Sequence, residues 1–215
     1  MTNRLFKIAV KFQENLGDYL RQNPDQYHRM SDIEQQSFEK YKEEADYDFA
    51  QDPDDIEDDF NQPGAKGIGI TDDNGNVIGY VYGYNMTDDE FDVDPDINKK
   101  ELQSQYGVKF YTNVPDNFAE QMFYLIQSGK IFYIANLALP SHKIKLMKML
   151  QKMLQQLRIA GYQYVAFDAL SDSMKLFMGE GYVPNAARMA LFGVQIVAGI
   201  PADGNWEHAQ VLIKI

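Results

Sequence analysis

The 215-residue sequence contains no cysteine and only one tryptophan. Without cysteine the chain has no disulfide, no thiolate metal ligand and no thiol nucleophile. No apolar run approaches the roughly eighteen residues that cross a bilayer, and the first residues, MTNRLFKIAV, lack the long apolar stretch of a signal peptide. The sequence therefore predicts a globular protein that is intracellular, with a cytoplasmic location and no membrane partner.

Several motifs of catalytic and metal-binding proteins are also missing. There is no phosphate loop ending in Gly-Lys-Ser/Thr and no Gly-x-Ser-x-Gly elbow. The three histidines, His28, His142 and His208, are scattered and have no ligand spacing. The acids of Asp92–Asp96 alternate as in a calcium loop, but Ile97 stands where that loop needs glycine. The sequence therefore predicts no metal site.

The charge is acidic overall and unevenly distributed. The formal net charge of −12 at pH 7 argues against nonspecific attraction to nucleic acid, so no nucleic acid partner is predicted. Ten carboxylates and no cation lie between Glu43 and Asp59. The segment from Ser141 to Arg158 has the opposite character, with four lysines, one arginine and no acid. This basic segment is either a local anion site or the solvated face of a helix.

Two helices are predicted near the start of the chain. Apolar residues recur at three- and four-residue intervals over residues 3–21, which predicts the first helix. Ser31 precedes Glu34 by three residues, a capping-box spacing that predicts a second, surface helix over residues 31–46. The many aspartates and the prolines of residues 47–63 predict a long acidic loop or a partly disordered arm.

The clearest local signal is a β-hairpin over residues 64–86. Strand-prone residues flank the sequence DDNGN, in which Asn74-Gly75 suits the positive φ angles of a tight turn. Residues 87–129 then separate this hairpin from the next predicted strand. They include predicted short helices over residues 97–106 and 117–127.

A βαβα unit is predicted between Lys130 and Tyr182. KIFYIANLALP predicts a strand, and SHKIKLMKMLQKMLQQLR follows it with helical apolar periodicity. YQYVAFDAL predicts the second strand of the unit, and SDSMKLFMGEGY its second helix. Two closing strands are predicted from ARMALFGVQIVAGI and HAQVLIKI.

This order of elements resembles the GNAT superfamily of N-acetyltransferases. The resemblance covers residues 64–215 and implies an α+β fold, in which a mixed central sheet is flanked by helices in an α/β sandwich-like arrangement. The whole chain, residues 1–215, is then a single GNAT-like domain. Residues 1–63 supply N-terminal helices and an acidic loop, residues 64–215 form the core, and residues 87–129 are an insertion.

The resemblance also implies a site for acetyl-CoA. In the family the pattern Gln/Arg-x-x-Gly-x-Gly/Ala at a helix start binds the pyrophosphate, because glycine and exposed backbone amides admit the anion. Aligned on Pro140, the pattern falls on residues 143–148, where Leu146 and Lys148 replace both glycines. The implied cofactor-binding residues are the backbone of the first strand and the six motif residues: Leu137, Ala138, Leu139, Lys143, Ile144, Lys145, Leu146, Met147 and Lys148.

Two interpretations of residues 143–148 stay open at this point. In the first, the lysine side chains bind the phosphates although the glycines are lost. In the second, the segment is an ordinary amphipathic helix, whose apolar stripe includes Met147, Leu150 and Leu154 and whose lysines face water.

No catalytic residue is assigned from the sequence. The tyrosine that protonates the departing thiolate in many family members corresponds to Phe177 in LFMGEGY, and phenylalanine has no proton to give. A general base is expected near the strand ends, where Asn136, His142 and Asp168 are the candidates. An asparagine cannot act as a base, and the sequence does not decide between the other two.

Two functions are consistent with the resemblance. The first is an acyl-CoA-dependent N-acetyltransferase, in which an amine substrate attacks the thioester directly. The second is a catalytically inactive GNAT-fold component of a larger assembly, such as a virion, that binds protein partners through the acidic arm, the N-terminal helices or residues 87–129. The order of elements favours the first function, and the loss of the motif glycines and of the tyrosine favours the second.

Overall fold

Eight strands and seven helices make up the part of the chain described by this computed structural model, namely residues 10–45, 50–91, 93–138, 143–170, 178, 183–202 and 205–215. The strands are β1 (Lys11–Gln13), β2 (Lys66–Thr71), β3 (Val77–Asn85), β4 (Lys109–Phe110), β5 (Ile131–Ala138), β6 (Tyr164–Leu170), β7 (Gln195–Ala202) and β8 (Asn205–Lys214). The helices are α1 (Leu16–Gln22), α2 (Asp25–Ala45), α3 (Pro53–Asn61), α4 (Lys99–Gln105), α5 (Phe118–Gln127), α6 (Lys143–Ile159) and α7 (Ala186–Phe192), and Asp88–Glu90 form a 3₁₀ turn.

The strands form one mixed sheet in the order β1-β2-β3-β5-β6-β8-β7-β4. β5 and β6 run parallel, and α6 lies between them in the chain, as a parallel connection requires. The strands β1, β2 and β3 are antiparallel to one another in turn, and so are β6, β8, β7 and β4. The predicted α+β fold with a mixed sheet and flanking helices is confirmed.

The chain divides into two compact units. The first unit comprises Met1–Gly83 and Asn136–Met153, and the second comprises Tyr84–Ala135 and Leu154–Ile215.

The predicted hairpin is confirmed as β2 and β3. In its turn Gly75 adopts φ = 86°, a left-handed conformation that suits glycine. The Asp72 carboxylate accepts hydrogen bonds from the backbone N–H groups of Asn74 at 2.9 Å and Asn76 at 2.8 Å. The hydroxyl of Tyr19 on α1 donates to the carbonyl of Gly75, so α1 also holds the turn.

The prediction of one helix over residues 3–21 is wrong. Residues 1–9 lie outside the described residues, Lys11–Gln13 form the edge strand β1, and α1 begins only at Leu16. Asn15 caps α1 because its side chain accepts a hydrogen bond from a backbone N–H of the first turn. The apolar spacing is thus divided between a strand and a helix, and the sheet begins well before residue 64.

The second predicted helix begins earlier than expected and buries one of its faces. It starts at Asp25, directly after Pro24, whereas Ser31 lies within it and does not cap it. The side chains of Met30 and Ile33 are buried. The few apolar residues of α2 are therefore concentrated on the side that faces the core of the first unit.

The prediction of an acidic loop or disordered arm over residues 47–63 is wrong for residues 53–61, which form α3. Pro53 lies in the first turn, where a missing N–H costs nothing. Ile56 is 0% exposed and Phe60 is 7% exposed, so two apolar residues at a four-residue spacing anchor a helix whose other side chains are mostly acidic. Two anchors are too few for a periodicity signal in the sequence.

The second unit has one apolar core that joins the segment between β3 and β5 to the sheet. The predicted short helices of this segment are confirmed as α4 and α5. The core residues come from the segment and from β5 to β8: Met86, Phe91, Val93, Leu102, Val108, Val114, Phe118, Ala119, Met122, Ile126, Ile131, Ala166, Val197, Ala198 and Leu212. The segment is therefore packed onto the sheet of this unit.

The first predicted closing strand is partly wrong, because Ala186–Phe192 form α7 and β7 begins at Gln195. Asn185 caps this helix by accepting from the N–H of Arg188 at 3.2 Å, and Gly193 ends it with φ = 62°. These caps and the helix-forming residues AARMALF override the strand-like reading. No helix in the described parts of the chain combines the length and apolarity needed to cross a membrane.

Candidate functional site at the ends of strands 5 and 6

The parallel ladder between β5 and β6 is shorter than the strands themselves. It pairs Ile131–Ile134 with residues 164–167, and the described ladder ends at the pair of Ile134 and Phe167. Yet β5 continues to Ala138 and β6 continues to Leu170. From Asp168 onward, the pairs of β6 among the described residues are with β8.

Asp168 is the first residue of β6 beyond this ladder, and its side chain is exposed. The hydroxyl of the half-buried Tyr133 on β5 donates a hydrogen bond of 2.6 Å to Oδ2 of Asp168. Burial, and then the neighbouring Asp168 carboxylate, raise the pKa of Tyr133 far above its usual range. Tyr133 is therefore a permanent hydrogen-bond donor that fixes a solvent-accessible carboxylate.

The side chains of Tyr84 and Glu90 lie next to Tyr133: Tyr84 contacts the Tyr133 ring, and Glu90 accepts a hydrogen bond from Tyr84. The ring of Tyr84 packs against that of Tyr133 with a centroid distance of 5.8 Å. The Tyr84 hydroxyl donates to the Glu90 carboxylate at 3.3 Å, and that carboxylate also accepts from the backbone N–H and the hydroxyl of Thr87. The bond from the Thr87 backbone N–H to the Glu90 carboxylate is part of a capping box at the start of the 3₁₀ turn. We call Tyr84, Glu90, Tyr133, Asp168 and Gln210 the strand-end cluster.

Gln210 completes the strand-end cluster from β8. It is the register partner of Asp168, and paired residues of neighbouring strands present their side chains on the same face. Its amide nitrogen Nε2 donates to the carbonyl oxygen of Glu90 at 2.7 Å. The cluster thus joins the 3₁₀ turn to β5, β6 and β8.

A small apolar cavity of about 10 Å³ lies beside the strand-end cluster. Its floor is formed by sheet residues, Ala166, Ala198 and Leu212, and its walls include Met86, Phe118 and Met122. All six of these side chains are buried. Gln210, the register partner of Asp168, also lines the cavity.

The residues predicted to bind a cofactor fall into three groups. Leu137 is half-buried and Ala138 is buried at the end of β5, whereas Leu139 lies outside the described residues. Lys143, Ile144 and Lys145 belong to the first turn of α6, but their side chains are not described. Leu146 and Met147 are half-buried, and Lys148 is exposed. Both Leu146 and Lys148 are thus compatible with the amphipathic helix, and Lys148 with an anion site as well.

The structure describes two of the three candidate bases. Asp168 lies in the strand-end cluster, whereas Asn136 is buried in the first unit and His142 lies outside the described residues, as does Phe177. Sequence reasoning missed Tyr133, Tyr84 and Gln210. Gln210 could have been identified only from the pairing register of β6 and β8, in which it lies opposite Asp168. The described side chains include no group of three or more histidine, aspartate or glutamate residues that could hold a metal ion.

A buried carboxylate in the first unit was also missed. Glu34 on α2 is 0% exposed and accepts hydrogen bonds from the Tyr80 hydroxyl at 2.6 Å and the Gln51 backbone N–H at 2.8 Å. Burial raises the pKa of Glu34 from its ordinary 4.5 to about 7, although these two hydrogen bonds oppose the shift. Ser31 donates to the carbonyl of Gln51 at 2.8 Å, so the same residue is held from both sides.

No protein-family model matches the sequence, and no curated protein sequence matches it. Solved structures, by contrast, match over almost the full length. A candidate acetyltransferase from Acinetobacter baylyi ADP1 has a TM-score of 0.52 and 9% identity, over 98% of this chain and 93% of that chain. An acetyltransferase of the GNAT family from Staphylococcus aureus MU50 has a TM-score of 0.50 and 9% identity, over 96% of this chain and 99% of that chain.

Aminoglycoside 6'-acetyltransferase type Ii matches equally well, with a TM-score of 0.50 and 9% identity over 97% of this chain and 96% of that chain. The chain therefore has the GNAT acetyltransferase fold, as the resemblance in its sequence implied. The match extends over nearly the whole chain and so includes the N-terminal elements, which the sequence resemblance from residue 64 onward did not cover.

Proposed function

We propose that this protein is an acyl-CoA-dependent N-acyltransferase in which Asp168 is the general base. The observation that carries the proposal is the position of Asp168, which is exposed, directly follows the last pair of the β5–β6 ladder, and is held by Tyr133 at 2.6 Å. A base must be within hydrogen-bond reach of the proton that it takes, and an exposed carboxylate just beyond the β5–β6 ladder is open to an acceptor from solvent.

The reaction is a direct transfer. The amine nitrogen of the acceptor attacks the thioester carbonyl carbon, the new C–N bond forms, and the C–S bond breaks with its electron pair on sulfur. The proton lost from the nitrogen passes to the carboxylate of Asp168 and from there to solvent. Each bond and proton is accounted for without a metal or a redox partner.

Tyr133 positions the base and does not act as the acid. A thiol has an ordinary pKa of about 8.5, whereas burial and Asp168 keep the pKa of Tyr133 far above the usual range of a phenol, so proton transfer from Tyr133 to the thiolate is uphill. The thiolate can leave without a protein acid at neutral pH, because its own pKa is close to that pH. The proposed reaction therefore does not need an acid at residue 177, which is phenylalanine.

The residues present fit acetyl-CoA as the acyl donor. The backbone edge of β5 past Ile134 can pair with the amide groups of the pantetheine arm, which involves Leu137, Ala138 and Leu139 through their backbone only. The start of α6 offers backbone amides to the phosphates even without glycine. The exposed Lys148 adds a positive charge there, and the other motif residues are Lys143, Ile144, Lys145, Leu146 and Met147.

Calorimetric titration with acetyl-CoA tests the donor site. We expect a saturable heat and a thermal shift, both reduced in a Lys143→Ala/Lys145→Ala/Lys148→Ala variant. A Lys99→Ala/Lys100→Ala variant, with its changes on α4, is the matched control and should bind normally. No heat and no thermal shift at millimolar acetyl-CoA would refute the proposal.

A second candidate function is the inactive interaction component. Leucine at residue 146 and lysine at residue 148 replace the two glycines of the family pattern, which is what relaxed catalytic demand would produce. Copurification of a stoichiometric protein partner, together with no thiol release from acetyl-CoA over a broad panel of amines, would favour this function. Robust turnover of any amine would exclude it.

A further inference from the structure

The apolar cavity and Asp168 share one face of the sheet. Ala166 precedes Asp168 by two residues on β6, so the two side chains point to the same side. The register extends this face across β8 and β7: Leu212 pairs with Ala166 and with Ala198, while Gln210 pairs with Asp168 and with Ile200. The cavity floor and the base thus occupy adjacent rows of one surface.

We propose that this cavity is an acceptor subsite, which binds the apolar alkyl or aryl group of an amine whose nitrogen lies at Asp168. The inference rests on the proposed function, since it assigns the acceptor class for the same site. The adjacency of the two rows supports it, because a side chain spacing of about two residues along a strand is about 7 Å. An alkyl chain of a few carbons spans that distance.

The walls of the cavity supply the flexibility that such a ligand needs. At about 10 Å³ the cavity is no larger than the space required by one water molecule. Met86 and Met122 line it, and a methionine side chain has three rotatable bonds and adapts readily to a new neighbour. The subsite requires that these two side chains rotate and enlarge the cavity when a ligand binds.

The lining also excludes one class of acceptor. A polyhydroxylated amine such as an aminoglycoside brings many hydroxyl and ammonium groups, and buried polar groups without partners are costly. Among the residues that line the cavity, Gln210 alone has a polar side chain, and its amide already donates to the Glu90 carbonyl. The subsite therefore selects apolar amines over polyhydroxylated ones.

Binding is tested without catalysis, by NMR of the methionine methyl groups in the absence of acetyl-CoA. We expect n-hexylamine to shift the resonances of Met86 and Met122, assigned through the Met86→Leu and Met122→Leu variants, while Met30 in the first unit stays unchanged. Ethanolamine is the matched polar amine and should shift neither. Equal responses to the two amines, or no response to n-hexylamine, would overturn the subsite.

A pair of variants locates the effect. Ala198→Leu fills the cavity and should abolish the n-hexylamine shifts, whereas Ala190→Leu, on the exposed side of α7, should leave them intact. If Ala198→Leu loses its circular dichroism signal, Ala198→Val makes the same test with less added volume. Unchanged n-hexylamine shifts in a folded Ala198→Leu or Ala198→Val variant would contradict the proposal.

Turnover separates failure of the subsite from failure of the catalytic proposal. In a thiol-release assay kcat/KM should rise roughly fourfold per methylene from propylamine to hexylamine, and the rise should vanish in Ala198→Leu. Turnover without a chain-length trend refutes the subsite and leaves the enzyme. Specific n-hexylamine binding with no turnover of any amine refutes the enzyme and leaves the cavity as an apolar-amine site.

Discussion

The phenol of Tyr80 donates a hydrogen bond of 2.6 Å to Glu34, a carboxylate with no exposed surface. Burial and the Glu34 charge in turn raise the pKa of Tyr80 well above its ordinary value, so Tyr80 remains a donor at any physiological pH. Asp59 on α3 is the other acidic group that acts on Glu34, and it raises the pKa of Glu34 further. The first unit thus contains a carboxylate that titrates near neutrality.

This carboxylate predicts a pH dependence of stability. Between pH 4.5 and about 7 the folded state holds a proton on Glu34 that the unfolded state has lost, so the free energy of unfolding falls as pH rises through this range. The loss is at most about 3.5 kcal/mol, from a pKa raised from 4.5 to about 7 and roughly 1.4 kcal/mol per pKa unit. In urea denaturation, the free energy of unfolding of Glu34→Gln minus that of the wild type should therefore increase by about 2–3 kcal/mol as the pH rises from 5 to 8.

The control for this comparison is Asp58→Asn, because Asp58 is an exposed carboxylate on α3. Its stability should follow that of the wild type at every pH. A difference between Glu34→Gln and wild type that stays constant from pH 5 to pH 8 would show that Glu34 does not titrate in this range.

Removing the proposed base should abolish most of the activity. Asp168→Asn keeps an oxygen that can accept from Tyr133 but loses the basicity, and general-base catalysis contributes about 10²–10⁴-fold. We expect kcat to fall by that factor in the thiol-release assay, with little change in the affinity for acetyl-CoA. Asp88→Asn, which alters an exposed carboxylate of the 3₁₀ turn, should retain full activity.

Tyr133→Phe tests the positioning role separately. It removes the hydrogen bond to Asp168 but leaves the carboxylate, so we expect a smaller decrease in kcat, of roughly tenfold, with KM for the amine unchanged. The effect should disappear when Asp168→Asn is already present, because the two residues act as one unit. Additive losses would contradict the proposed role of Tyr133.

The anchoring of α3 predicts a large core effect within an acidic segment. Ile56→Ala should lower the free energy of unfolding by about 2–5 kcal/mol, since Ile56 is 0% exposed. Glu57→Ala, at the neighbouring exposed residue, should change it by less than about 0.5 kcal/mol. Chemical denaturation measures both changes. Equally small effects of the two substitutions would contradict a packed helix over residues 53–61.

Substitution of two glycines with the same φ angle distinguishes the cost of backbone strain from the cost of a steric contact. Gly161 and Gly75 both have φ = 86°, but an added Cβ at Gly161 meets nothing within 4 Å, whereas at Gly75 it lies 3.2 Å from the Tyr19 hydroxyl. Gly161→Ala should cost about 1–2 kcal/mol through backbone strain alone. Gly75→Ala should cost more, and the excess should shrink when Tyr19→Phe is present.

Local patterns explain which parts of the fold were predictable. Turn residues within a short window predict the hairpin at residues 64–86. Apolar periodicity within short windows likewise predicts the strand, helix and strand from Lys130 to Leu170. α3 has no such local signal, because its stability comes from burial of Ile56 and Phe60 against residues distant in sequence. Residues 187–192 were wrongly predicted as part of a strand, because their apolar residues also suit a strand. The helix caps at Asn185 and Gly193 are the local signals that indicate a helix instead.

The candidate site was predictable only in outline. The sequence placed Asp168 near a strand end, but not its side-chain direction, which depends on the register of β5 against β6. Tyr133 and Asp168 are 35 residues apart, and only the fold brings them together. Glu34 resembled one half of a capping box in the sequence, and nothing local indicated that α2 would begin at Asp25 and bury it.

The segment between β3 and β5 was predicted to be an insertion, longer than the simple fold needs. Its side chains, among them Phe118 and Met122, pack with Ala166 and Leu212 of the sheet. Deletion of residues 92–125 would therefore expose the apolar side chains of β6 and β8 to solvent. Such a shortened chain would be prone to aggregate, so a smaller version of this protein needs to keep the segment.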